Sequence, residues 1–164
     1  MEEIYKKYSR IVYNYLYSLT QNIELSEELT QETFYSVING IKNFKNECSI
    51  NVWLCQIAKN KWKDYISKSK KLKLIPFDDT IEITLSDNNI EYSIDSKNEI
   101  IQLYKKIHEL DEKTREVFYL RIKGELSFKE IGEILNKTEE WARITFYRGK
   151  IKLKEALNNE QKRM

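Results

Sequence analysis

The sequence predicts an all-α protein: two small helical modules joined by a flexible linker. Three observations carry this reading. The 164 residues include only 4 Gly and 1 Pro, too few to punctuate the many turns of a sheet. Apolar residues recur at helical spacing along most of the chain. That recurrence lapses over residues 71–98, where acidic residues, Asn and Ser take over. With 41% hydrophobic and 33% charged residues, the chain is globular.

The first helix is read from Ile4, Tyr8, Ile11, Val12, Tyr15, Leu16 and Leu19, one face of a 3.6-residue repeat, broken at Thr20-Gln21-Asn22. A second is expected from about Ser26 to Ile41, with Phe34, Val37, Ile38 and Ile41 on one side. Gly40 and the polar stretch Lys42–Ser49 close it. A third, from about Ile50 to Ser69, aligns Ile50, Leu54, Ile57, Ala58, Trp62 and Tyr65. The three stripes can bury one another, so residues 1–70 form a first module near the small end of independent stability.

Residues 71–98 contain Pro76, the only proline, and read as a linker. A structureless stretch of that length inside one compact domain is unusual and argues for two domains. As a coil it would span roughly 30 Å, and roughly 90 Å when stretched.

Residues 99–164 form the second module. Ile100, Leu103, Tyr104 and Ile107 start a helix that breaks at Leu110-Asp111, with Asp111 as the next N-cap. Val117, Phe118 and Ile122 share a face, and Gly124 stops the helix. Ser127-Phe128-Lys129-Glu130 has the form of a capping box, in which hydroxyl and carboxylate satisfy each other's orphan amides. The helix it opens carries Ile131, Ile134 and Leu135. After a three-residue turn, Thr138 caps a last helix from Glu139 to about Leu157.

Those two helices and their turn have the dimensions of a helix-turn-helix. Gly132 keeps bulk out of the helix–helix approach. Ala142, Phe146, Gly149 and Leu153, spaced i, i+4, i+7, i+11, form a seam against the first helix of the pair. The opposite side carries Glu140, Ile144, Tyr147, Arg148 and Ile151, flanked by Trp141 and Thr145 on one edge and Arg143 and Lys150 on the other.

The charge pattern agrees. A net charge of +2 conceals a stretch of net −4 over residues 71–99 and a C-terminal stretch, residues 141–163, with 7 basic and 2 acidic residues. Cations gathered on one helix suit a polyanion. Arg143, Arg148, Lys150, Lys152 and Lys154 can meet phosphates, and Arg also reads guanine edges. Ile144 and Thr145 suit a thymine methyl. Ile144, Tyr147 and Ile151 make an apolar stripe on a face that should be wet, which marks a partner site.

Other classes are excluded. No apolar run reaches the roughly 18 residues of a membrane span. The acidic start Met1-Glu2-Glu3 lacks the form of a signal peptide, so the expected location is cytoplasmic. Cys48, Cys55 and His108 have no metal-binding spacing, and the cysteines are expected to be free thiols. No Gly-rich phosphate loop and no nucleophile with a base is present. We therefore expect no enzyme, no cofactor, no metal and no small-molecule substrate.

Two segments in this order resemble the extracytoplasmic-function (ECF) sigma factors, bacterial RNA polymerase specificity subunits of the sigma-70 family. Leu110–Arg121 (LDEKTREVFYLR) with Leu126–Leu135 (LSFKEIGEIL) resembles the family's region 4, which binds the −35 promoter element. Glu27–Phe34 (EELTQETF), Trp53–Asn60 (WLCQIAKN) and Asp64-Tyr65 resemble region 2, which binds the polymerase clamp and melts the −10 element.

The resemblance implies roles. Leu29, Gln31, Glu32 and Phe34 would dock on core RNA polymerase. Asn60, Lys63 and Asp64 would face −10 DNA. The loop from Phe44 to Ser49, with Phe44, Asn46 and Ser49, would hold a base flipped from the stack, which needs stacking surface and polar edges. Thr138, Trp141, Arg143, Ile144, Thr145, Arg148, Lys150 and Lys152 would read or grip −35 DNA. An anti-sigma factor would cover Ile144, Tyr147 and Ile151 or the clamp-binding face. The start of the last helix departs from the family's usual Thr and Lys-Ser-Arg, reading Trp141-Ala142 and Arg143-Ile144-Thr145, and the loop lacks the family's frequent Gly. The rival reading is a stand-alone helix-turn-helix regulator whose front helices sense a ligand or dimerise. It gives no reason for the polymerase-docking resemblance of Glu27–Phe34.

Overall fold

The computed structural model describes residues 2–72 and 94–161. Among them it has seven α-helices: α1 (Glu2–Thr20), α2 (Ile23–Gly40), α3 (Ile50–Leu72), α4 (Ile94–His108), α5 (Glu112–Ile122), α6 (Phe128–Leu135) and α7 (Glu139–Gln161). A 3-10 turn, Ile41–Asn43, follows α2. The middle of the expected linker, residues 73–93, lies outside the described residues; α3 and α4 take up its ends.

The helix boundaries have local causes. Gln21 adopts the left-handed conformation at φ 52°, and the Asn22 side chain accepts from the Leu25 amide at 2.8 Å. A cap at Asn22 starts α2 ahead of the Ser26 expected from periodicity. Asp111 caps α5 through the Thr114 amide and hydroxyl. Ser127 and Glu130 complete the capping box of α6. Asn136 closes α6 in the left-handed conformation, and the Trp141 amide donates to Thr138 Oγ1 at 3.0 Å to open α7.

The first three helices bury Val12, Leu16, Leu29, Val37, Leu54 and Ala58 together. The same cluster runs on without a break into Val117, Leu120, Leu126, Ile131 and Ala142 of the second module. α1 packs on α5, and α3 packs on α6. Apolar stripes expected to close within each module therefore also close against the other.

Polar groups stitch the same seam. Arg115 Nε donates to the Ser18 carbonyl at 2.8 Å, satisfying an orphan acceptor at the end of α1. Lys59 on α3 pairs with Glu116 on α5 at 3.4 Å, with both side chains largely buried. Ser49 Oγ donates to Glu130 Oε1 at 2.7 Å.

Candidate nucleic-acid interface

α6 and α7 meet as a helix-turn-helix whose tight spots are explicit. A Cβ on Gly132 would stand 2.7 Å from the Lys137 carbonyl oxygen and 3.0 Å from that of Thr138, so this glycine lets the turn fold back over α6. A Cβ on Gly149 would stand 2.5 Å from Thr114 Cγ2 and 2.6 Å from Phe118 Cε2. Gly149 thus presses on α5, a correction to the expectation that its seam faced the first helix of the pair. Ala142 and Leu153 are buried beside it.

The far side of α7 is open. Arg143, Ile144, Tyr147, Arg148, Lys150, Ile151 and Lys152 are exposed, and Thr145 is half-buried. Arg143 is pre-positioned: its Nη2 donates to Glu139 Oε1 at 2.6 Å, and its guanidinium lies 5.7 Å from the Phe128 ring centroid. Phe128 and Tyr147 continue the apolar stripe, their rings 6.3 Å apart. The exposed face therefore combines planar cations with apolar surface at the start of a helix, where amide dipoles favour anions.

Two further residues assigned to −35 DNA also have partners within the chain. Trp141 is half-buried against the shared core, with the Lys137 ammonium 5.8 Å from its ring. It belongs to the wall of α7 that faces the first module. The Thr138 hydroxyl is engaged by the helix cap.

The region before α3 is a shaped loop. The Phe44 ring packs on Trp53, centroids 4.8 Å apart. Asn46 takes the left-handed conformation at φ 56°, a conformation Asn tolerates better than most residues, and so supplies the bend expected of a Gly. Ser49 caps α3 weakly through the Val52 amide at 3.3 Å. Asn60, Lys63 and Asp64 are exposed on α3, at a spacing that puts them on one face. The loop and this face carry donors, acceptors and an aromatic pair.

On α2, the predicted docking residues split. Gln31 and Glu32 are exposed. Leu29 and Phe34 are 2% and 5% exposed, so they hold the helix in place and offer no surface to a partner. This corrects the expectation for those two residues: their spacing places them on the core side. The exposed apolar residues of α2 are Tyr35 and Ile38, at 70% and 54%. Periodicity assigns Ile38 to the core face and leaves Tyr35 without a role; the signal available in the sequence is an apolar residue off the main stripe.

Among the described residues no group of His, Cys, Asp and Glu is placed to hold a metal ion, and no helix is long and apolar enough to cross a membrane. Cys55 is buried and Cys48 half-buried, both as free thiols; burial pushes the Cys55 thiol up to about 12. His108 is buried on α4 with Nε2 3.0 Å from the Tyr119 hydroxyl. Its pKa is pushed down to about 4 by burial and by Arg115.

Comparisons agree with this geometry. Residues 4–72 match the family Sigma-70 region 2, and residues 107–154 match Sigma-70, region 4. The chain is 30% identical over 166 residues to the ECF RNA polymerase sigma factor SigM of Bacillus subtilis, covering 96% of this chain and 95% of that one. It is 27% identical over 164 residues to the RNA polymerase sigma factor YlaC of Bacillus subtilis, covering 98% and 94%. Among solved structures, the fold is similar to the sigma factor RpoE of Bartonella quintana in complex with the anti-sigma factor NepR. The TM-score is 0.72 at 16% identity, covering 96% of this chain and 98% of that one. It is also similar to CnrH in complex with the cytosolic domain of CnrY, at TM-score 0.67 and 16% identity, covering 96% and 87%.

Proposed function

Because the chain belongs to the ECF branch of the sigma-70 family of RNA polymerase sigma factors, we propose a division of labour between its two modules. Residues 1–70 dock on core RNA polymerase and hold −10 DNA. Residues 99–164 grip −35 DNA, and residues 71–98 set the distance between them. The protein works by binding, in the cytoplasm, with no catalysis and no cofactor of its own.

The observation that carries this reading is the one-sidedness of α7. Its inner face is locked by Ala142, Gly149 and Leu153, while Arg143, Ile144 and Arg148 stand on the open face. Such a helix can enter a major groove without disturbing the core. On the first module, Asn60, Lys63 and Asp64 face −10 DNA, and a flipped base lodges by Phe44, Asn46 and Ser49, stacking and hydrogen bonding there in place of its lost partners. Gln31 and Glu32, with Tyr35 and Ile38 beside them, form the polymerase-docking surface. A single module gives a small footprint, about 600–1,000 Å², so both are needed, and tethering supplies the gain.

An anti-sigma factor controls the chain by covering Ile144, Tyr147 and Ile151. This apolar stripe is 42–58% exposed and lies on the helix that meets DNA, so a protein bound to it excludes the promoter. The two solved structures named above are complexes with a protein partner.

The test is run-off transcription by core polymerase on genomic fragments, with and without the protein. New start sites that depend on the protein support the reading; none, with active core polymerase, overturns it.

A further inference from the structure

Two arginines stand on the open face of α7, and their surroundings differ. Arg148 is exposed and has no hydrogen bond, ion pair or ring contact among the described residues. Arg143 is held twice. Its Nη2 donates to Glu139 Oε1 at 2.6 Å, one turn back on the same helix. Its guanidinium lies 5.7 Å from the centroid of the Phe128 ring on α6, within the range of a cation–π contact.

Phe128 is itself fixed. It is the first residue of α6, directly after Ser127 of the capping box, so the cap sets its backbone. Its ring is half-buried and meets the Arg121 guanidinium at 4.6 Å. Arg121 is in turn tied down by its bond to the Leu126 carbonyl at 2.7 Å. Phe128 also packs on Phe146, centroids 5.6 Å apart, and Phe146 stacks on Phe118 of α5 at 4.7 Å. A run of rings thus leads from the core through Phe146 to Phe128 and ends at Arg143.

The difference decides what each arginine can do. A mobile guanidinium finds any phosphate within reach, but it loses rotamer freedom when it is fixed on a base edge. A guanidinium already held in place loses little, and keeps more of the contact as discrimination. Glu139 takes one N–H of Arg143, and those that remain are enough for the two parallel bonds that a guanine edge accepts. The Glu139 carboxylate also offsets the charge of Arg143 and weakens its pull on phosphate relative to Arg148.

We propose that Phe128 is a positioning residue for sequence readout: its ring makes Arg143 the guanine-reading arginine of α7 and leaves Arg148 to grip phosphate. This rests on the reading of Arg143 as a −35 contact, but the hold of Phe128 on Arg143 is measurable without DNA.

The experiment has two arms, both on the full-length chain. In the first, nuclear magnetic resonance reads the fast motion of each arginine Nε–H in the free protein. Arg143 should be more rigid than Arg148 in the wild type, and as mobile as Arg148 in Phe128→Leu. Equal mobility in the wild type, a comparison that needs no variant, would overturn the hold. In the second, core polymerase with the chain binds a promoter found by run-off transcription and its single-base variants across the −35 element. Arg143→Ala should erase the preference for guanine at one position. Phe128→Leu should reduce that same preference about three- to tenfold, with the salt slope unchanged, and Phe128→Tyr should retain it. In the Arg143→Ala background, Phe128→Leu should change nothing further. An equal loss at every −35 position, or a loss that adds to that of Arg143→Ala, would overturn the positioning role. Preferences untouched by Arg143→Ala would instead refute Arg143 as a base contact, while the mobility arm still reports on the hold.

Discussion

Gly149 on α7 lies so close to Phe118 on α5 that a Cβ added to it would stand 2.6 Å from the ring's Cε2. Thr114 closes the same space from the next turn, at 2.5 Å. The contact lets α7 lie close against α5, on the side of the helix away from Arg143 and Arg148.

Gly149→Ala should therefore destabilise the protein although alanine is the better helix former. Helix propensity favours the change by about 1 kcal/mol, while overpacking costs about 1–3 kcal/mol. The net expectation is a loss of up to about 2 kcal/mol, read as a lower urea midpoint at unchanged slope. An unchanged or higher midpoint would mean that α5 and α7 part easily.

The capping box gives a second expectation. Ser127 accepts from the Glu130 amide at 3.2 Å, and Glu130 Oε2 accepts from the Ser127 amide at 2.9 Å. Ser127→Ala should cost about 0.5–2 kcal/mol, and Ser127→Asp much less. Urea unfolding of the pair distinguishes loss of the cap from loss of a side chain of that size.

His108 supplies a pH dependence. Its folded-state pKa is pushed down to about 4 from an ordinary value of 6.5. Above pH 6.5 neither state holds the proton, and stability is unaffected. As pH falls from 6.5 towards 4, the unfolded chain binds a proton that the folded chain refuses, so stability declines by at most about 1.4 kcal/mol per pH unit. Glu116, with its carboxyl pKa raised, pulls the other way at the acid end. The contribution of His108 is isolated as the difference between wild type and His108→Gln in urea midpoints at pH 7 and pH 5. Equal pH dependence in both would contradict a buried neutral imidazole.

On α7, Arg148→Ala and Lys152→Ala should weaken promoter binding and flatten its salt dependence, by about 0.9 in log–log slope for each phosphate no longer neutralised. If Arg143 reads a base, Arg143→Ala should cost about 1–3 kcal/mol and relax preference at one position of the −35 element. Binding isotherms across a salt series, on matched and single-mismatch duplexes, separate the two behaviours.

Ile144→Asp with Tyr147→Asp should abolish sequestration of the chain by its partner while leaving the fold intact, since both side chains are exposed. Pull-down from extracts of the native host, with helix content as control, reads this. Undiminished sequestration would move the partner site to another face.

Most of the architecture was legible in the sequence because periodicity and caps are local. Asp111, Ser127, Glu130 and Thr138 do in space what their spacing says, and the bare face of α7 follows from counting 100° per residue. What was not legible is relational. Nothing local says that Tyr15 and Leu16 will lie in one cluster with Val117 and Leu120, or that Lys59 will meet Glu116 across 57 positions of chain. The same holds for Gly149, whose small size was readable but whose neighbour on α5 was not. Leu29 and Phe34 fell inside a segment chosen by resemblance, and a segment does not distinguish the face of a helix that docks from the face that packs.

The most direct test is a hydroxyl-radical footprint of core polymerase reconstituted with the full chain on a promoter found by run-off transcription. The account predicts two protected patches that appear only with the chain present, the upstream one abolished by Arg143→Ala/Arg148→Ala and the downstream one weakened by Asn46→Ala/Ser49→Ala. A single symmetric footprint made by the chain alone, indifferent to polymerase, would contradict it.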